Sequence, residues 1–236
     1  MPFFKKSFRE AIKNLYEIPV STNEVALLYF NYSGVLLRTQ SQVFAFDLAN
    51  LLKKTEVDLL SNLDAIFYTH GHYDHYNKNI AKLLYHRTGA QIIAEPTVAS
   101  DLKGIIPEEK LISAKPGETF DLGRFKVTSI RGLHRGPIVL YLVEGKDLSL
   151  FHGGDSAYVP LEEYKADLAL VPTGSPSPTA SPQDAFRMIS ALNPKVAAAF
   201  HGSKSQHQDF INLVRNSFPQ IKVLVLEEGK VMKIQI

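Results

Sequence analysis

Four potential metal ligands stand within six consecutive positions of the sequence, at His70, His72, Asp74 and His75. They directly follow the apolar run at 65–68, which predicts a buried strand because turn residues stand on either side of it. The cluster is therefore expected on a loop at the end of a strand, where a rigid sheet positions the ligands and the loop exposes them.

The residue types of this cluster indicate a site for divalent cations. Neutral imidazole and carboxylate oxygen are the ligands that Zn²⁺ and similar ions take when no thiolate is available, and the chain has no cysteine. An isolated histidine is usually an ordinary surface or core residue, but four candidates at this spacing favour metal binding. His70 and His72 are placed to hold one ion, while Asp74 and His75 turn toward a second.

The pattern His-x-His-x-Asp-His after an apolar strand resembles the signature of the metallo-β-lactamase-fold hydrolases. That family has three further ligands downstream, each on a loop after a strand, and the matching residues here are His134, Asp155 and His201. Each of the three has glycine close by in the sequence, which lets the backbone pass close to an ion. The resemblance extends over nearly the whole chain.

The resemblance implies two bound divalent ions, with Zn²⁺ expected and Mn²⁺ or Fe²⁺ as alternatives. The implied ligands are His70, His72 and His134 for the first ion, Asp74, His75 and His201 for the second, and Asp155 as a bridge between both. A water shared by the ions then becomes a hydroxide nucleophile that attacks an acyl carbon or a phosphorus. Asp74 and Asp155 are the catalytic candidates, since Asp74 is also placed to orient that water or receive its proton.

Three further residues are candidates for supporting roles. Asp47 closes a predicted strand, and the resemblance places such an aspartate beneath the metal site, although a plain turn aspartate is an equal alternative. Arg135 is a candidate for binding an anionic substrate group, because a guanidinium matches carboxylate or phosphate oxygens; a surface salt bridge is its alternative. His207, at the start of a helix, is either a substrate contact or an ordinary helix residue.

The rest of the chain alternates between strand and helix patterns. Helices are predicted at 5–17, 55–63, 77–88, 182–192 and 206–217. Strands are predicted at 25–31, 35–39, 42–47, 65–68, 91–94, 125–130, 148–151, 166–171, 195–200, 221–226 and 230–236. Residues 95–124 are predicted to hold short elements and turns. With the resemblance, this alternation predicts an α/β fold, a four-layer αββα sandwich of two mixed β-sheets, in one domain over residues 1–236.

Composition and charge argue against several classes of partner. A net charge of +2, without a run of basic residues interleaved with aromatics, argues against nucleic acid. Residues 1–9 carry charges and lack the apolar core of a signal peptide, and no stretch approaches the length of a membrane span. A cytoplasmic location without membrane binding is therefore expected, and the absent leader argues against an antibiotic-degrading role.

Comparison within the superfamily narrows the expected reaction. The chain lacks the inserted domain of β-CASP nucleases, the helical extension of the glyoxalase II type and the arm of tRNA 3′-processing enzymes. His72 stands where flavodiiron proteins carry glutamate. What remains resembles the compact branch of ascorbate-6-phosphate lactonase-type hydrolases, from which the chain departs at Thr173, where that branch has a glycine.

The expected function is hydrolysis of a lactone or similar ester in a small, anionic molecule. A phosphodiesterase is the alternative, since the same hydroxide serves both reactions and Arg135 would contact the phosphate. A metal-binding protein without catalysis is a third hypothesis, and the oligomeric state stays open.

Overall fold

The computed structural model describes residues 7–236, which form six α-helices and fourteen strands in two seven-stranded sheets. The helices are α1 (Arg9–Glu17), α2 (Lys54–Val57), α3 (Lys78–Thr88), α4 (Pro96–Leu102), α5 (Pro182–Leu192) and α6 (Lys204–Ser217). Across the first sheet the strands are β14 (Val231–Gln235), β1 (Glu24–Asn31), β2 (Gly34–Arg38), β3 (Val43–Phe46), β4 (Ala65–Tyr68), β5 (Gln91–Ala94) and β6 (Leu111–Ser113). Across the second they are β13 (Lys222–Val225), β12 (Val196–Phe200), β11 (Leu168–Pro172), β10 (Ser149–His152), β9 (Val139–Gly145), β8 (Phe125–Arg131) and β7 (Thr119–Asp121).

Both sheets are mixed. In the first, the strands from β14 to β3 run antiparallel, and those from β3 to β6 run parallel. In the second, the strands from β13 to β10 run parallel, and those from β10 to β7 run antiparallel. The predicted architecture of two mixed sheets is confirmed.

Helices cover the outer face of each sheet, so most strands are buried on both faces and carry continuous apolar runs. In β3, Phe44 and Phe46 point into the core between the sheets, while Val43 and Ala45 point outward beneath the helices, because side chains alternate along a strand. The helices α1–α4 pack on the first sheet, and α5 and α6 pack on the second. Among residues 7–236, no helix combines the length and apolarity that a membrane span needs.

Both ends of α3 and the start of α5 lie where the usual capping residues stand in the sequence. Asn77 caps α3 by accepting a hydrogen bond from the backbone N–H of Ile80, and Gly89 ends the helix in the left-handed conformation, with φ of 64°. Ser181 caps α5 by accepting from the N–H of Asp184, and Pro182 is the first helical residue.

The largest differences between the predicted and observed helices concern three segments. The first helix begins at Arg9 rather than residue 5, and residues 5 and 6 lie outside the described part. The helix predicted at 55–63 runs only from Lys54 to Val57; i→i+3 hydrogen bonds follow at Leu59 and Leu60, and Leu60 and Leu63 are buried. Residues 95–124 contain the helix α4, whose cap is Glu95, a residue type that sequence patterns do not weigh as a cap.

Candidate metal centre

The seven predicted ligands converge where the carboxyl ends of β4, β10 and β12 meet the β8–β9 loop. The first four ligands lie on the segment 69–76 after β4, and the other three follow β8, β10 and β12. A hydrogen bond from the backbone N–H of Val139 to the carbonyl of Thr69, 3.0 Å long, joins the two sheets here. Loops from both sheets therefore contribute side chains to one site.

His70, His72 and His134 form the first ligand group. His70 Nε2 lies 3.1 Å from His72 Nδ1, which lies 3.3 Å from His134 Nε2. Two nitrogens on one tetrahedral zinc ion, each bonded at 2.0–2.1 Å, stand about 3.3–3.4 Å apart. The two observed separations are close to this value, so the three nitrogens are spaced suitably for ligation of a single ion. His70 is buried and His72 is exposed, so this group is open to solvent on one side.

Asp74, His75 and His201 form the second group, in which one ligand atom from each lies within 4.8 Å of the others. Asp155 connects the two groups. Its Oδ2 is 3.2 Å from His75 Nε2 and its Oδ1 is 3.1 Å from His201 Nε2. Asp155 also lies within 4.8 Å of the ligand atoms of both His70 and His75. Each carboxylate oxygen thus faces the site.

Several of these buried polar atoms lack a hydrogen-bond partner within the described residues, namely His75 Nε2, Asp155 Oδ1 and both ring nitrogens of His201. Buried polar atoms nearly always have such a partner. Three of the four lie in the pairwise contacts with Asp155, and none of those contacts has hydrogen-bond geometry. Imidazole nitrogens and carboxylate oxygens left without hydrogen bonds suit a divalent cation, so the residues fit a metal.

Asp47 lies behind the second group and contacts His75. Its Oδ2 is 3.1 Å from His75 Nδ1 and accepts hydrogen bonds from the hydroxyls of Ser33 (2.6 Å) and Thr69 (2.7 Å). Its Oδ1 accepts from the backbone N–H of Thr69 at 2.8 Å. An oxygen partner at Nδ1 orients the imidazole and directs Nε2 into the site.

Hydroxyl groups occupy the Nδ1 side of three of the candidate ligand histidines. Ser33 Oγ lies 2.6 Å from His75 Nδ1, and Thr69 Oγ1 lies 3.0 Å from His70 Nδ1. Thr179 Oγ1 lies 2.8 Å from the Nδ1 of His134 and donates to the backbone carbonyl of Asp155. Because each hydroxyl donates its own hydrogen to another oxygen, it can accept one from Nδ1–H, an arrangement that directs Nε2 of the imidazole into the site.

Sequence reasoning missed Ser33 and Thr179. Ser33 falls between the predicted strands at 25–31 and 35–39, and Thr179 falls just before the predicted helix at 182–192, so neither position indicates a contact with a ligand. The only signal available was the concentration of hydroxyl residues at 173–181, which does not indicate the partner of any one of them.

Burial and neighbouring charges shift the pKa values of the site. Burial lowers the pKa of His70 to about 3 and also lowers that of His134. Burial alone would raise the pKa of Asp155, but its contacts with His201 and His75 outweigh this and lower it. Burial would lower the pKa of His75, but Asp155 and Asp47 raise it to about 10. Metal ligation at His75 would therefore displace a firmly held proton.

The structure places the other candidates outside these two groups. Arg135 is exposed, and among residues 7–236 it makes neither a hydrogen bond nor an ion pair. His207 Nδ1 lies 2.8 Å from Thr173 Oγ1, and burial lowers the pKa of this histidine. His152 is fully buried, stacks on Phe46 with ring centroids 4.6 Å apart, and serves core packing.

Comparison with known proteins gives a consistent picture. The family model described as a beta-lactamase superfamily domain matches residues 42–202. A UPF0173 metal-dependent hydrolase of Caldivirga maquilingensis is 26% identical over 191 residues, which cover 75% of this chain and 83% of that protein. A probable L-ascorbate-6-phosphate lactonase of Salmonella choleraesuis is 26% identical over 176 residues, 60% of this chain and 49% of that protein.

Among solved structures, Igni18, a metallo hydrolase from the archaeon Ignicoccus hospitalis, has a TM-score of 0.72 at 22% identity. The match covers 90% of this chain and 99% of that one. CmlA, a diiron β-hydroxylase from Streptomyces venezuelae, has a TM-score of 0.69 at 14% identity, over 93% of this chain and 55% of that one. At these identities the likeness concerns the fold.

Proposed function

This chain belongs to the beta-lactamase superfamily, and we propose that it binds two divalent ions and uses them to hydrolyse a lactone or a similar ester. Its relatives are named metal-dependent hydrolases, and that coarser function holds for this chain. The observation that carries the proposal is the convergence of seven His and Asp side chains, several with buried ligand atoms that make no hydrogen bond. We propose that residues 1–236 form a single domain of this superfamily, which the pairing of β14 with β1 in the first sheet supports.

The proposed ligands divide as the geometry groups them. His70, His72 and His134 hold one ion, and Asp74, His75 and His201 hold the other. Asp155 would contribute to holding both ions, because its two oxygens face different histidines and its lowered pKa keeps it ionised. A set of histidines and carboxylates without thiolate suits Zn²⁺, Mn²⁺ or Fe²⁺, and we expect Zn²⁺.

When bound, the ions would polarise the scissile carbonyl and lower the pKa of a water molecule at the site. Asp74, the least buried carboxylate of the set, is placed to accept the proton of the attacking water and return it to the leaving oxygen. The water oxygen bonds to the acyl carbon and the ring C–O bond breaks, so that a hydroxy acid forms. Asp47, Ser33 and Thr179 hold the ligand imidazoles in position throughout.

The likeness to a probable lactonase supports a lactone as the substrate. A phosphodiester is the second candidate, favoured by one observation. Arg135 stands next to His134, exposed and without a partner among the described residues, where its guanidinium would meet an anionic group. A metal-binding protein without catalysis is disfavoured, because such a protein has no need for a carboxylate between two ligand groups.

The test is turnover of a matched panel of small lactones and phosphodiesters before and after removal of metal by a chelator. We expect chelator-sensitive turnover of lactones, restored by Zn²⁺. Turnover confined to phosphodiesters would replace the lactone assignment and make Arg135→Ala the next variant, with a raised KM expected. Turnover of neither class by metal-loaded protein would refute the proposed substrates.

A further inference from the structure

Two large apolar side chains are exposed within the described residues, and both stand beside proposed ligands. Tyr73 lies between His72 and Asp74 and is 78% exposed, while Leu133 directly precedes His134 and is 56% exposed. Exposed apolar side chains are common singly on a protein surface. Their restriction to the two loops of the metal centre indicates that the rim of this site meets an apolar group.

Leu133 also lines a cleft of about 570 Å³ outside the metal centre. The other apolar side chains that line it are Pro116, Ile130, Tyr158, Val159, Pro160 and Tyr164. Arg131 is the one charged residue that lines it in the described part of the chain. Ligand sites for small molecules commonly have volumes of roughly 300–1,000 Å³ and mostly apolar walls. The cleft therefore has the size and lining of a site for an apolar group.

Two segments that line the cleft are continuous with segments that carry proposed ligands. The backbone N–H of Leu133 donates to Ser156 Oγ at 2.8 Å, and the N–H of Ala157 donates to the carbonyl of Leu133 at 2.9 Å. Ser156 directly follows Asp155, and Leu133 directly precedes His134. The two segments that carry these proposed ligands thus pair with each other and continue into the cleft walls at 130–133 and 158–160.

Tyr158, in one wall of the cleft, contacts two residues of α5. The guanidinium carbon of Arg187 lies 3.9 Å from the ring centroid of Tyr158, a cation–π contact. The backbone N–H of Tyr158 donates to Asp184 Oδ1 at 3.2 Å. Both partners belong to α5, so the aromatic wall is held by a helix.

We propose that this cleft binds an apolar alkyl or aryl substituent of the substrate, while the ester that is cleaved lies at the metal centre. The proposal rests on the proposed function and adds the substrate class, a lactone or ester that carries an apolar substituent several carbons long. Leu133 lines the cleft and directly precedes the proposed ligand His134. A group bound in the cleft would therefore lie next to the metal centre, which favours part of the substrate as the occupant.

The test is a series of γ-lactones that differ only in the length of a straight alkyl substituent, from none to octyl. For the wild-type protein we expect kcat/KM to rise by about two- to fourfold per added methylene until the cleft is filled. Val159→Asn places an amide in the cleft and should flatten this dependence. Leu133→Ala should reduce kcat/KM for the octyl lactone more than for the unsubstituted one.

Leu83→Ala is the matched control, because it makes the same truncation at a partly buried leucine of α3. It should leave the dependence on chain length unchanged. Equal kcat/KM along the series, or an unaltered dependence in Val159→Asn, would overturn the assignment of the cleft while the proposed function stands.

Binding of the fluorescent probe anilinonaphthalene sulfonate separates the two proposals. The chain has no tryptophan, so probe emission is free of energy transfer from that residue. Displacement of the probe by the octyl lactone, weakened in Val159→Asn, would support the cleft even if no lactone were hydrolysed. A dimer in sedimentation that Val159→Asn dissociates, without such displacement, would assign the cleft to a second copy of the chain and refute the proposal.

Discussion

Asp47→Asn removes the negative charge behind His75 while keeping the size of the side chain. Asparagine also tolerates the left-handed backbone of this residue, where φ is 47°. The Oδ2 of Asp47 lies within 3.1 Å of three groups, the hydroxyls of Ser33 and Thr69 and the Nδ1 of His75. An amide NH₂ in place of Oδ2 accepts no hydrogen bond, and the flipped amide instead opposes the backbone N–H of Thr69.

The expected losses of metal affinity and of stability follow from these contacts. Replacing a carboxylate that orients a ligand imidazole typically lowers metal affinity 10- to 100-fold, which corresponds to about 1.4–2.7 kcal/mol of binding free energy. At least one buried donor also loses its acceptor, which costs the metal-free protein about 1–3 kcal/mol of unfolding free energy. The pKa of His75 should fall as well, because Asp47 helps to raise it.

The assay is competition for Zn²⁺ against a chromophoric chelator, with urea unfolding of the metal-stripped protein alongside. Asp147→Asn is the matched control. Asp147 lies in the turn between β9 and β10, and its carboxylate accepts hydrogen bonds from the hydroxyls of Thr39 (2.7 Å) and Ser41 (2.6 Å). That turn lies at the opposite end of β10 from Asp155. We expect the control to lose stability and keep its metal affinity. Unchanged zinc affinity in folded Asp47→Asn would refute the supporting role of Asp47.

Three further predictions concern two of the proposed ligands and one residue that orients a third. Asp155→Ala should abolish turnover and lower the metal content, with the fold retained by circular dichroism; normal activity would exclude a bridging role. Thr179→Val removes the hydroxyl at His134 Nδ1 and should weaken zinc binding about tenfold, measured by chelator competition; equal affinity would mean that this contact does not orient the ligand. In metal-stripped protein the pKa of His75 is about 10, raised above its unfolded value, so its contribution to stability is full below about pH 6.5 and is lost as the pH rises toward 10. Urea unfolding across this range should show the loss, and His75→Gln should flatten it; parallel curves would argue against the raised pKa.

The predicted ligands could be found from the sequence because each stands at the end of an apolar strand. Tyr68 ends β4 before the first cluster, and Phe200 ends β12 just before His201. A strand end is a local signal, and the carboxyl ends of neighbouring parallel strands meet at one edge of a sheet. Local patterns do not show that the two sheets pack together around one site. That part of the prediction came from the resemblance to a known family.

Contacts between distant positions could not be predicted in the same way. Ser33 and His75 are 42 positions apart, and His134 and Thr179 are 45 apart, so no periodicity connects them. The cleft beside Leu133 was missed for the same reason, because its walls come from segments that pair only in the folded chain. The helix α4 lies in the region predicted only as short elements and turns, and its N-cap, Glu95, is not among the residue types typical of that position.

The stoichiometry of metal reconstitution tests the two-ion proposal most directly. Metal-stripped protein is titrated with Zn²⁺ while the bound metal per chain and the turnover of a small lactone are followed together. Two ions per chain, with turnover rising until the second has bound, is the predicted result. Full turnover at one ion per chain, with no second ion bound at saturation, would contradict the bridging assignment of Asp155 and the mechanism built on it.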